Sequence, residues 1–277
     1  MCGSGDCVLI LVVLIVAGAV HIGLIRLAPQ LRLVKPNFLS KPILGSYGPA
    51  MFLDAAVLIW IGKTAGLIQG ADAALYLSVM GGMCVFGLID DMFGSRDVGG
   101  FAGHFRKLVF ERKLTTGVVK AAGGAGIGIA AGWAVSGGYP GRWATAALVI
   151  PLAANALNLV DLRPGRALAV FFAALGVTCL MALGRLHSPW TVAAIAVAAA
   201  AWGTADCRGR AMMGDAGSNM LGGALGLTIA LSLSLYEQIG AVLVFAAVNW
   251  YSEKHSISAL IEKHRLLRAI DGRLGVR

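Results

Sequence analysis

Charge is what this sequence has least of. Only 13% of its 277 residues are charged, against roughly 25% in soluble domains, and 58% are hydrophobic. A soluble globular domain is thereby excluded and a membrane composition indicated. Cysteine is sparse as well. Five stand at positions 2, 7, 84, 179 and 207 with no CxxC, which argues against a disulfide framework or a zinc site. Cys2 and Cys7 are near enough in sequence to pair, but free thiols are the expectation. Several catalytic signatures are missing too. HExxH and GxSxG do not occur. The only Gly-Lys-Thr, starting at Gly62, lacks the upstream glycine of a P-loop. A DDxxD diphosphate motif needs an acid three residues after Asp91, where Gly94 stands.

What the sequence does have is long apolar runs. Runs of about 20 such residues cross a bilayer as helices. Nine are predicted, over residues 8–27, 49–68, 73–89, 117–135, 143–157, 168–184, 190–205, 217–235 and 238–251. The expectation is an all-α, polytopic membrane protein with one integral-membrane domain over residues 1–277. The 143–157 run is short, and Pro151 is expected to kink it. The first run has no basic segment before it, only Asp6, so it reads as a retained helix rather than a cleaved signal.

With nine spans, alternate loops fall on opposite faces. Twenty of the 23 basic residues then collect on one face, leaving Lys63, Arg142 and Arg185 on the other. The positive-inside rule puts the rich face in the cytoplasm, the N-terminus outside and the C-terminus inside, in the cell (plasma) membrane. Basic loops also attract anionic head groups, which accounts for the C-terminal tail. No nucleic-acid partner is expected.

The acids need a different explanation. Asp90 and Asp91, Asp161, and Asp215 each sit where an apolar run meets a loop on the basic face. Three loops are thus able to bring carboxylates to one membrane-level site. Aspartates among Lys and Arg suit a metal–phosphate substrate. Mg²⁺ takes one or two carboxylates and completes its shell with water and phosphate oxygens, and it polarises the phosphoryl group. A transporter is disfavoured, because no acid or base has a clear midspan position with a charge partner. His21 and Asp54 come nearest, and both are expected near interfaces.

Three stretches carry the chemistry. "FGLIDDMFGSR" (86–96) holds the adjacent pair Asp90 and Asp91. "NALNLVDLRPG" (155–165) sets Asn155, Asn158 and Asp161 at i, i+3 and i+6, a spacing that lets them share one helix face. Those amides suit sugar or uracil edges, or equally a hydrogen bond to a neighbouring helix. "GDAGSNMLGG" (214–223) offers Asp215 as a metal ligand, with Gly217 and Ser218 at a helix entrance suited to phosphate. Its structural reading is a tight turn before a packing face. Gly222 and Gly226, like Gly124, Gly128 and Gly132, have GxxxG spacing and are assigned to helix packing. Glycine-rich faces also permit a homodimer without requiring one.

Together the three stretches resemble the polyprenyl-phosphate N-acetylhexosamine-1-phosphate transferases, which include the phospho-N-acetylmuramoyl-pentapeptide transferases. "GLIDDMFGSR" is similar to the family's DD loop, "NALNLVD" to its NxxNxxDGxDG segment and "GDAGSNMLG" to its GDxGSxxLG loop. The resemblance covers roughly residues 30–265. It implies transfer of a sugar-1-phosphate from a UDP-sugar to a polyprenyl phosphate lipid, with release of UMP and a requirement for Mg²⁺, in cell-envelope glycan synthesis. By resemblance, Asp90 positions or deprotonates the lipid phosphate, Asp91 supports the metal site and Asp215 binds Mg²⁺. Asn158 and Asp161 contact the nucleotide or sugar phosphate. Lys120, in "TTGVVKAAGG", resembles a lysine that neutralises the diphosphate; the alternative is a snorkelling lysine at a helix end.

The sequence also departs from the family. DGxDG becomes "DLRPG", with Leu162 for a glycine and Pro164 for the second acid. Arg163 and Arg166 stand in that loop as candidate phosphate ligands. The family's histidine run is reduced to His255 and His264. "NFLSKPILGSYG" matches the N-terminal loop only loosely, at Asn37 and Gly48. The chain is identified as a divergent member. The lost acid and histidines favour a second reading, a non-catalytic membrane protein binding polyprenyl phosphate or nucleotide-sugar. Retention of Asp90, Asp91, Asn158, Asp161 and Asp215 together favours the transferase.

Overall fold

The computed structural model describes residues 22–23, 26–31, 33–36, 40–94, 107, 110–112 and 115–276. The expected first span, and with it His21, lies almost wholly outside them, as do Asn37, Cys2 and Cys7. A hairpin of β1 (Val34–Pro36) and β2 (Pro42–Leu44) is followed by α1 (Gly48–Thr64), α2 (Gly70–Phe93), α3 (Thr116–Val135), α4 (Pro140–Val160) and α5 (Arg166–Met181). Then come α6 (Pro189–Cys207), α7 (Gly214–Ser232), α8 (Leu235–Lys254), α9 (Ile257–Lys263) and α10 (Arg265–Leu274). Cys84, Cys179 and Cys207 are free thiols.

Helices α1–α8 coincide with the eight later apolar runs. Four of them, α2, α3, α4 and α6, are long and apolar enough to cross a membrane. This makes the protein a mostly helical, membrane-associated chain. The 16 residues of α5 reach only about 24 Å, short of a hydrocarbon core about 30 Å thick. The short 143–157 run proves to be the middle of α4, which continues for 21 residues through Pro151. Its polar ends, near Arg142 and Asn158, hide its length from an apolar window.

The core is built around α7. Every residue from Ala216 to Ala230 is buried. After Asp215 this helix carries no charge, so it can be enclosed on all sides. Small residues make the enclosure tight. A β-carbon at Gly222 would lie 2.5 Å from the Ala153 carbonyl oxygen, and one at Gly226 would lie 2.6 Å from the Ile150 Cα, so α7 packs backbone to backbone on α4. Gly128 and Gly132 bring α3 equally close to α4. These four take the packing roles expected of the GxxxG glycines, whereas a β-carbon at Gly124 would make only ordinary contacts with Met83 and Pro151.

Neighbouring helices run up and down, so alternate ends share a level. The last turns of α2, α4 and α6 meet the starts of α3, α5 and α7 at one end. The opposite end holds Arg142, bonded to the Ala230 carbonyl at 3.2 Å, and Arg185, 3.2 Å from Glu237. Lys63 lies there too, at the far end of α1. The hairpin, absent from an all-α expectation, buttresses the first end. Met212 N–H donates to the Leu44 carbonyl at 2.8 Å, and Tyr47 N–H to the Met212 carbonyl at 3.0 Å.

Candidate active site

Four segments meet at Lys120. The ammonium, in the second turn of α3, donates to Asp90 Oδ2 at 2.9 Å and to Asp215 Oδ2 at 2.5 Å. Asn158, in the last turn of α4, donates to the same Asp215 oxygen at 2.8 Å. Asp90 closes α2 and Asp215 opens α7, so the cluster joins side chains 125 positions apart in the chain. Thr115 starts α3 by accepting the Val118 N–H at 3.4 Å, which fixes the turn that carries Lys120. Gly214, at φ +69°, turns the chain into α7 in the left-handed region. Gly87 has no side chain because a β-carbon there would overlap the Asp215 carbonyl.

Asp91 faces the other way. It is only 7% exposed. Its carboxylate accepts Lys35 Nζ at 3.3 Å, Asp215 N–H at 3.2 Å and Ala216 N–H at 3.0 Å. Met213, at the cap position of α7, supplies no capping side chain. Asp91 therefore caps α7 from a different helix, placing negative charge where the backbone dipoles are positive. Its neighbour Asp90 reaches Lys120 because adjacent helical side chains point about 100° apart.

A second acidic pair lies beside the first. Asp161 follows α4, and burial first, then the charges of Asp206, Asp215 and Asp91, push its carboxyl well above the usual carboxylate range. Asp206, 2% exposed, accepts Gly165 N–H at 2.7 Å and so pins the loop between α4 and α5 to the end of α6. Tyr47 is fully buried and stacks on Trp202 with ring centroids 4.9 Å apart. Burial and the charges of Asp206 and Asp161 push its hydroxyl upward as well. Asp206 carries no motif. Its only signal is an acid ending an apolar run on the basic face. Asp54 lies well inside α1, where Trp202 Nε1 donates to it at 2.9 Å.

Other expected residues lie elsewhere. Asn155 donates to Asn249 at 2.5 Å, and Asn249 donates to the Leu152 carbonyl at 3.1 Å, so this pair ties α4 to α8. Arg163 is paired with Glu262 at 2.7 Å on the surface. Arg166, 2% exposed, holds Asp271 through two bonds of 2.8 and 3.0 Å and Ser258 at 2.9 Å. Gly217 packs against Gly48, and buried Ser218 donates to the Gly214 carbonyl at 3.0 Å inside α7. His255 tilts over Tyr251, and His264 joins α9 to α10; both are exposed.

The donor chemistry fits a hard divalent cation. Asp90 and Asp215 already flank one positive charge, and Asp161 sits in a field of three further carboxylates. Among the described residues no group of three or more His, Cys, Asp or Glu is clustered for a metal. Mg²⁺ bound with a phosphate needs only one or two protein carboxylates. No protein-family model matches this chain, and no curated protein matches it either.

Proposed function

We propose that this chain is a Mg²⁺-dependent glycosyl-1-phosphate transferase of the cell membrane, with nine spans and its site on the cytoplasmic face. It moves an N-acetylhexosamine-type sugar-1-phosphate from a UDP-sugar to a polyprenyl phosphate and releases UMP. One observation carries this reading: Lys120, Asp90, Asp215 and Asn158 arrive from four segments at one polar point at the bundle's end.

The chemistry follows from those groups. An oxygen of the lipid phosphate attacks the sugar-bearing phosphorus of the UDP-sugar. The bond from that phosphorus to the bridging oxygen breaks, and UMP leaves with the electron pair. Mg²⁺, when bound, neutralises the diphosphate and stabilises the leaving oxygen. Asp90 orients the incoming phosphate and takes up its proton if it arrives monoprotonated. Lys120 offers its ammonium to the diphosphate, exchanging carboxylate partners for phosphate oxygens. Asn158 holds Asp215 in place, and Asp91 fixes the turn on which Asp215 sits.

A second reading is favoured by the loop after α4. Arg166 is tied to Asp271, and Val276 N–H donates to the Cys207 carbonyl at 2.9 Å, so the C-terminal segment covers that loop. A closed loop suits a non-catalytic protein that only binds lipid phosphate or nucleotide-sugar. The test is the purified full chain with Mg²⁺, polyprenyl phosphate and a panel of UDP-N-acetylhexosamines. UMP release is expected. Tight lipid-phosphate binding without UMP from any sugar replaces the transferase with the binding protein.

A further inference from the structure

The C-terminal helix α10 touches the rest of the protein along a narrow line. Asp271 is its one buried residue, held by Arg166 from the first turn of α5. The surface it leaves open is strongly two-sided. Leu266, Leu267 and Ile270 fall within one arc of about 100° around the helix, and they are 73%, 41% and 48% exposed. Arg265 and Arg268 occupy the opposite arc, Arg273 borders the stripe beside Leu266, and all three are exposed. Leaving an apolar stripe of this size in water is unfavourable; covering it removes three large side chains from solvent at once.

The position of α10 says what can cover it. Arg166, which it touches, and Cys207, which the segment just after it touches through Val276, stand at the same end as the Lys120 cluster, where the membrane-length helices α2, α4 and α6 finish. That is the level of the lipid head groups. An apolar stripe flanked by arginines matches acyl chains below and anionic head groups beside them. The chain's net charge of +9 has the same sign preference.

We infer that α10 is an interfacial helix whose partner is an anionic lipid leaflet. Docking has a consequence for the site, because Arg166 follows directly on the loop that carries Asp161. A seated α10 holds that loop through the Arg166–Asp271 pair. This inference goes beyond the transferase reading and does not rest on it.

The experiment is amide hydrogen exchange on the full chain in lipid nanodiscs. One set contains only phosphatidylcholine and the other includes phosphatidylglycerol. Exchange over residues 265–274 is expected to slow roughly tenfold or more in the anionic discs. The Leu266→Asp/Ile270→Asp variant changes only exposed positions and is expected to lose that slowing, with α2–α7 unaffected. Equal exchange in the two disc types overturns the inference. So does slowing that persists in the double variant, which would place the cover within the protein. Neither outcome depends on whether UMP is released.

Discussion

Replacing Lys120 with methionine tests the cluster where its physics is sharpest. The side chain keeps its length and loses its charge, leaving Asp90 and Asp215 facing each other without a cation. At 2.9 Å and an effective dielectric of about 20, one such ion pair has a Coulomb energy of about 6 kcal/mol. Desolvation offsets most of that. The side chains of Lys120, Asp90 and Asp215 are 20%, 20% and 27% exposed, so the net lies between surface and buried pairs, at about 1–3 kcal/mol. For a chain of this size, that lowers Tm by about 3–10 °C. Lys120→Met is therefore expected to melt several degrees below wild type in detergent. Adding Asp215→Asn removes the repulsion, so the double variant is expected to recover part of the loss. Mg²⁺ should raise Tm more in Lys120→Met than in wild type, since a divalent cation replaces the missing ammonium; at 100 times its Kd it adds about 2.7 kcal/mol. A variant as stable as wild type, with additive effects in the cycle, refutes the reasoning.

Four further outcomes follow from the same geometry. Asp91→Ala removes the cap on α7 and leaves the buried Ala216 amide and the half-buried Asp215 amide without an acceptor, costing about 1–3 kcal/mol by denaturant melt. Gly87→Ala forces a β-carbon onto the Asp215 carbonyl and is expected to destabilise by about 1–3 kcal/mol, again by melt, with UMP release falling further than stability. Arg166→Met strands buried Asp271 and should cost about 3–5 kcal/mol, partly restored by Asp271→Leu in the same chain. Asp161 binds its proton more tightly folded than unfolded, so its carboxyl weakens the fold as pH rises from the unfolded value through the raised folded one. Asp161→Asn should therefore melt at or above wild type at pH 8, with the difference shrinking towards pH 4. Its UMP release is expected to be lost all the same.

The helices were legible because long apolar runs have few other uses. The meeting of Asp90 and Asp215 was legible for a related reason: each ends or begins such a run on the basic face, and alternation of helices brings those ends together, whereas Lys120 was singled out only through the family resemblance and Asn158 only through its motif. Side-chain direction was not legible. Asn155 and Asn158 are three residues apart, which offsets them by about 60° on α4. Because α4 is packed between α7 and α8, that offset sends Asn158 to Asp215 and Asn155 to Asn249. Asp91 likewise reads as a ligand beside Asp90, and only the arrival of the α7 amides makes it a cap. Arg166 suggests phosphate binding until α10, more than 100 positions later in the chain, supplies Asp271. Asp206 has no motif around it, and its role as an anchor for Gly165 exists only in three dimensions.

The central claim is that Asp90 and Asp215 face one another across a single cation site, and proximity in the native membrane tests it most directly. In a background with the native cysteines replaced by serine or alanine, Asp90→Cys and Asp215→Cys would be combined and treated with a short dithiol-bridging fluorophore. The double variant is predicted to gain fluorescence that neither single variant shows. Dark double variants, with both thiols shown to be reactive on their own, would contradict the account.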